Sequence, residues 1–124
     1  MTTILVAADA KWVRDQVRAA FMGSNQNVVE VTRGQDVRDT FAEVEPDLVI
    51  LDMQIGNMGG IAVALDLRLE ESADRLDRAN IMLLLDREAD EFIARRADVD
   101  LILVKPVDAG ILRRAAKQLL AAAG

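Results

Sequence analysis

The chain has 124 residues, a length at which one hydrophobic core is sufficient, and a formal net charge of −6, which argues against the clustered basic face that nucleic-acid binding needs. It contains no Cys and no His, so a disulfide framework, a thiolate or imidazole zinc site, a Ser-His-Asp triad and a phosphohistidine are all excluded. Met1-Thr2-Thr3-Ile4-Leu5-Val6 lacks the basic and long apolar regions of a signal peptide, and every apolar run is far shorter than the roughly 20 residues of a membrane span. The expectation is a cytoplasmic single domain over residues 1–124, with no output domain, no membrane contact and no nucleic-acid partner.

The first apolar run, Ile4 to Ala7, reads as a strand, and Val13, Val17 and Phe21 follow at one-turn helical spacing. Gly23-Ser24-Asn25 marks a turn before a second strand, Val28 to Val31, and Val37, Phe41 and Val44 form a second helical stripe. Pro46 precedes a third strand, Leu48 to Leu51, and Ile61, Leu65 and Leu69 predict a third helix that continues through Glu70-Glu71-Ser72-Ala73 toward Asp77. The fourth strand is Ile81 to Leu85, with a fourth helix on Phe92, Ile93 and Ala97. The fifth is Leu101 to Val104, and its helix carries Ile111, Leu112, Ala115, Leu119 and Leu120, with Asp108 placed to cap it. The basic pairs Arg95-Arg96 and Arg113-Arg114 read as solvated helix positions. Near-continuous apolar strands alternating with helices predict an α/β fold in which a five-stranded parallel sheet is covered on both faces and joined by right-handed crossovers.

Three strands end on a charged residue. Asp9 lies beyond the first, Asp52 directly follows Leu51, and Lys105-Pro106 follows Val104. Ligands of an open parallel sheet bind beyond the carboxyl ends of its strands, so these groups face the functional edge. Two carboxylates and an ammonium are the parts that bind a divalent cation and hold a phosphoryl group. Each also has a plainer reading: Asp52 as a solvated loop acid, Asp9 as a cap of the first helix, Lys105 as a surface lysine. Trp12 and Met58 read as packing or contact residues, and Gly59-Gly60 lacks the lysine of a phosphate-binding loop.

With Asp52 at the end of the third strand, Gly60 in the loop beyond it and Lys105-Pro106 after the fifth, the chain resembles the receiver domain of two-component response regulators over essentially its whole length. The resemblance implies a flavodoxin-like, doubly wound (βα)5 sandwich. By motif it makes Asp52 the phosphoacceptor and Lys105 the phosphoryl contact. Mg²⁺ would be held by Asp9, Asp52 and the backbone carbonyl of Gln54, and a cis Lys105-Pro106 peptide is the family expectation.

The chain also departs from the family. Ala8 stands where a second acid is usual, which implies weakened Mg²⁺ binding. Leu85 stands where a Ser or Thr donates to the phosphoryl group, and Leu donates nothing. Ile102 replaces the aromatic residue that rotates on activation. Asp86 replaces a small residue; it reads as a cap or solvated acid, or as compensation for the missing acid, and would repel a phosphoryl group if it pointed inward. Gly56 replaces a Pro, which predicts a looser loop.

The leading expectation is therefore a single-domain receiver that accepts a phosphoryl group on Asp52 from a sensor histidine kinase or phosphotransfer protein and is read by a downstream protein; it is a signalling protein rather than an enzyme. The alternative is a pseudo-receiver that binds partners without phosphorylation. An Asp-nucleophile hydrolase is disfavoured by Gln54, which stands where a second Asp would be required, and a flavin site by the absence of Tyr. A homodimer through the fourth helix and fifth strand is left open.

Overall fold

The computed structural model describes residues 1–23, 25–56 and 58–123, so Ser24 of the predicted turn and Asn57 of the glycine-rich loop lie outside the described residues. Strands β1 (Thr2–Ala7), β2 (Gln26–Val31), β3 (Leu48–Asp52), β4 (Ile81–Leu85) and β5 (Leu101–Val104) alternate with helices α1 (Lys11–Ala20), α2 (Val37–Val44), α3 (Gly60–Ser72), α4 (Glu91–Ala94) and α5 (Ala109–Ala123). The sheet is parallel throughout with the order β2-β1-β3-β4-β5. The chain reverses its direction of winding between β1 and β3, and this places the ligand crevice at their carboxyl ends.

Side-chain alternation divides the core in two. Ile4, Val6, Leu48, Ile50, Met82 and Leu84 face α1 and α5, while Leu5, Ala7, Val49, Leu51, Ile81, Leu83 and Leu85 face α2 and α3. Each buried Leu or Ile contributes roughly 1.5–3 kcal/mol, so the three central strands carry most of the hydrophobic stabilisation. The predicted strands are all present, but β2 and β5 lie at the sheet edges and are only partly buried, since each has a neighbour on one side alone.

The helices correct the sequence reading in two places. In α3 the buried face carries Val63, Ala64 and Leu67, whereas Leu65 and Leu69 are exposed. This helix is apolar nearly all round, so one-turn spacing fits two faces and does not choose between them. It also stops at Ser72 instead of running toward Asp77, and Asp74 then takes a left-handed conformation with φ 58°. The fourth helix is a single α turn flanked by 3₁₀ turns at Glu88–Asp90 and Arg95–Ala97; it buries Ala94 and Ala97 and leaves Phe92 and Ile93 exposed. The last helix begins as expected, with the Ile111 N–H donating to Asp108 Oδ1 at 2.8 Å. Arg113 is more than a solvated position: its Nε donates to the Ala20 carbonyl at 3.1 Å, satisfying a free carbonyl at the end of α1.

At the edge opposite the strand carboxyl ends, Arg68 organises a nearly buried polar network. Its guanidinium donates to the carbonyls of Ala79 and Asp98, to Glu71 at 2.9 Å and to Asp100 at 2.8 Å, and Asp100 in turn accepts the Ile81 N–H at 2.7 Å. This clamps α3 to the starts of β4 and β5, and so fixes the register that places the far ends of those strands. Arg68→Ala is expected to lower the unfolding free energy by about 3 kcal/mol, because it leaves buried acceptors and charges unpaired. Urea unfolding measures this; a loss under about 1 kcal/mol would reduce the network to the level of surface ion pairs.

Candidate functional site

At the carboxyl edge, β3 delivers Asp52 as its last residue, paired in register with Leu84 of β4, and the residue is 1% exposed. Its backbone is locked by the start of α3: a Cβ on Gly60 would lie 2.2 Å from the Asp52 carbonyl oxygen, so only glycine permits this approach. Gly56 has a related role. It bridges to Arg33 in the loop after β2, its N–H donates to the Thr32 carbonyl at 3.2 Å, and a Cβ would sit 2.8 Å from that oxygen. The expected loosening at Gly56 is therefore corrected: the residue ties this loop to its neighbour through an N–H that Pro lacks.

Lys105 reaches across from the end of β5, next to a cis Lys105-Pro106 peptide. Its Nζ lies 2.5 Å from Asp52 Oδ1 and 2.7 Å from Asp86 Oδ1, and the Trp12 ring centroid is 5.5 Å from the ammonium. The other Asp86 oxygen accepts from Gln54 Nε2 at 3.2 Å. The contact to Asp86 has hydrogen-bond geometry. The contact to Asp52 is an ion pair only, and both Asp52 carboxylate oxygens lack a hydrogen-bond partner among the described residues.

The electrostatics follow from this layout. Burial pushes the Asp52 carboxyl above its ordinary range, against the pull of Lys105, and the Asp86 charge adds to the rise. Hydrogen bonding to Lys105 holds Asp86 below the usual carboxylate range, and the Gln54 amide assists it. Lys105 itself is raised: burial lowers it, but two carboxylates outweigh that effect.

The residues expected from sequence are brought to one edge, though not all into contact. Asp9 is exposed and does not cap α1, whose N-cap is Ala10; its N–H donates to the Gln54 carbonyl at 2.9 Å. One lone pair of that carbonyl is thereby used, and no second donor reaches it among the described residues. No cluster of three or more acids is placed to hold a metal ion among the described residues. Asp52 Oδ2, without a partner among the described residues, nevertheless fits a hard cation held by one or two carboxylates with water completing its shell, as Mg²⁺ accepts. Leu85 is buried with no polar atom to offer, and Ile102 is a partly buried member of the core face toward α2 and α3. Two contacts at the site were not expected from the sequence. Asp86 is a partner of Lys105 rather than a cap or a purely solvated acid, and the Gln54 side chain, not only its carbonyl, joins the site.

The family model for the response regulator receiver domain matches residues 4–117, and the chain belongs to that family. It is 26% identical over 121 residues to the aerobic respiration control protein ArcA of Escherichia coli K12, covering 94% of this chain and 48% of ArcA. The chain thus spans about half the length of the curated relatives it matches. Among solved structures, the BeF3-activated N-terminal receiver domain of Klebsiella pneumoniae RstA superposes with a TM-score of 0.81 at 22% identity, covering 96% of this chain and 98% of that one. The chemotaxis protein CheY4 of Vibrio cholerae gives 0.81 at 16% identity, with the same coverage of 96% and 98%. The flavodoxin-like (βα)5 fold and the membership in two-component signalling expected from sequence both hold. No helix among the described residues is long and apolar enough to cross a membrane.

The raised Asp52 carboxyl has a consequence for stability. The folded state holds this proton more tightly than the unfolded chain, so the group's contribution is fully present below its unfolded pKa and is lost as pH rises through the folded value. Asp52→Asn removes the cost of ionising a buried acid. It is expected to raise Tm at pH 7 by a few degrees, with a gain that shrinks toward zero as the pH falls below the carboxylate range. Thermal melts across pH check this; a lower Tm for the variant at pH 7 would mean that the Lys105 ion pair outweighs desolvation.

Proposed function

We propose that the chain works as a phosphorylation-dependent receiver in which Asp52 is the acceptor. The observation that carries this reading is a buried carboxylate at the crevice edge, one oxygen ion-paired to a lysine ammonium and the other without a hydrogen-bond partner among the described residues. A carboxylate needs no general base to act as nucleophile. One Asp52 oxygen attacks the phosphorus of a phosphohistidine on a kinase or phosphotransfer partner; a P–O bond forms and the P–N bond breaks, its electron pair returning to the imidazole nitrogen. Asp9, Asp52 and the Gln54 carbonyl would hold Mg²⁺, which would offset charge on the transferring group. With Ala8 in place of a second acid, that binding is expected to be weak. Lys105 stabilises the phosphoryl oxygens.

The downstream reader is a protein that docks by α4 and β5, where Phe92 is 72% exposed and its ring lies 5.4 Å from the Arg96 guanidinium. A cytoplasmic location belongs to the same reading. The second reading, a pseudo-receiver, is favoured by buried Leu85 and apolar Ile102, which leave the site without a hydroxyl or aromatic relay.

Amide NMR titration with Mg²⁺ and then beryllium fluoride separates the two. Saturable shifts centred on Asp9, Asp52 and Lys105, abolished in Asp52→Asn, are expected for the receiver. Lys105→Ala is expected to weaken the beryllium fluoride response about tenfold or more while changing Mg²⁺ affinity less, since the ammonium contacts the phosphoryl mimic and not the metal. No saturable response at millimolar Mg²⁺ would select the pseudo-receiver.

A further inference from the structure

Asp86 sits where an anion opposes the arrival of another anion, and its contacts show how the conflict is contained. One carboxylate oxygen accepts from Lys105 at 2.7 Å and the other from Gln54 at 3.2 Å, so the group is held at both ends between the β3–α3 loop and the end of β5. Lys105 is 13% exposed on its side chain and is already shared with Asp52, while the Trp12 ring lies beside the ammonium. A third anion would have to share this one ammonium with both carboxylates. The Asp52 side chain is fully buried and cannot leave, whereas that of Asp86 is 36% exposed and can turn out into water.

A phosphoryl group on Asp52 would bring oxygens that require the same ammonium, and like charges in one pocket destabilise each other. An ordinary surface ion pair would yield at almost no cost. This one is screened from solvent on the lysine side and braced by an amide, so its exchange has a measurable free energy.

We propose that Asp86 is a resident anion that occupies Lys105 in the unphosphorylated chain and is displaced by the incoming phosphoryl group, its release moving the β4–α4 loop. The loop is coupled to the release because Asp86 is followed directly by Arg87, which pairs with Asp90 at 3.1 Å in the turn that opens into α4. The displacement gives a site with Leu85 and Ile102 a moving part that needs neither a hydroxyl nor an aromatic side chain. The inference rests on Asp52 being the acceptor.

The test is a beryllium fluoride titration at saturating Mg²⁺ on the native chain, Asp86→Ala and Asp86→Asn, read by the fluorescence of Trp12, the sole tryptophan, and by amide NMR. Both variants are expected to bind beryllium fluoride about tenfold more tightly than the native chain, the effect of deleting one charge-assisted competitor. Amide shifts at Arg87, Glu88 and Asp90 on binding are expected in the native chain and much reduced in Asp86→Ala. Equal or weaker binding by folded variants, with native binding intact, would overturn the resident-anion assignment and leave Asp52 as acceptor. A fall in Mg²⁺ affinity on removing Asp86 would overturn it in favour of a metal-ligand role. Failure of both native chain and variants to bind would overturn the acceptor assignment, and this inference with it.

Discussion

The site depends on one lysine ammonium serving two carboxylates of unequal burial. Asp52 ends a strand covered on both faces, and its charge is tolerated only because Lys105 lies 2.5 Å away. Asp86 draws on the same ammonium through a hydrogen bond of 2.7 Å, so Asp52 does not have its cationic partner to itself. Asp52 is therefore a buried carboxylate with a shared partner: burial raises its proton affinity, and Lys105 is divided between two acids. Such a carboxylate gains most from whatever cation or donor reaches it next, as expected of a group that binds Mg²⁺ and then a phosphoryl group.

The rest of the molecule holds this geometry in place. Parallel pairing of β1, β3, β4 and β5 brings Asp9, Asp52, Asp86 and Lys105 to one edge from four separate stretches of chain. Gly60 lets the start of α3 close against the Asp52 backbone, and Gly56 ties the intervening loop to the one after β2. At the opposite edge the Arg68 network fixes where β4 and β5 begin. A register shift of one residue there would turn every side chain on those strands to the other face and break up the site.

Much of this was legible in the sequence, because buried parallel strands leave uninterrupted apolar runs. Ile81 to Leu85 and Leu101 to Val104 coincide with β4 and β5, and Leu48 to Leu51 with all of β3 but Asp52 itself. Asp52 and Lys105 were legible too, since each directly follows such a run. The helical faces were less so. Ile61, Leu65 and Leu69 repeat at a helical period, yet Val63, Ala64 and Leu67 are the residues that packing selects. Asp86 was seen as an anomaly whose direction was unknown. Its pairing with Lys105 and Gln54 joins residues 19 and 32 positions away, and only strand register and side-chain reach decide such contacts. The Gly56 exchange misled because a missing Pro reads as lost stiffness, whereas the N–H gained is used by the Thr32 carbonyl.

Family membership makes a phosphoryl-accepting Asp52 the simplest account of this edge, while Leu85, Ile102 and Asp86 set it apart from receivers with a hydroxyl and an aromatic relay. The direct measurement is intact-mass and peptide mass spectrometry of the chain after incubation with Mg²⁺ and a small-molecule phosphodonor such as acetyl phosphate. The account predicts a single hydroxylamine-labile phosphate on the peptide containing Asp52, lost when Mg²⁺ is removed and absent in Asp52→Asn. An unmodified chain, or a label that persists in Asp52→Asn, would contradict it.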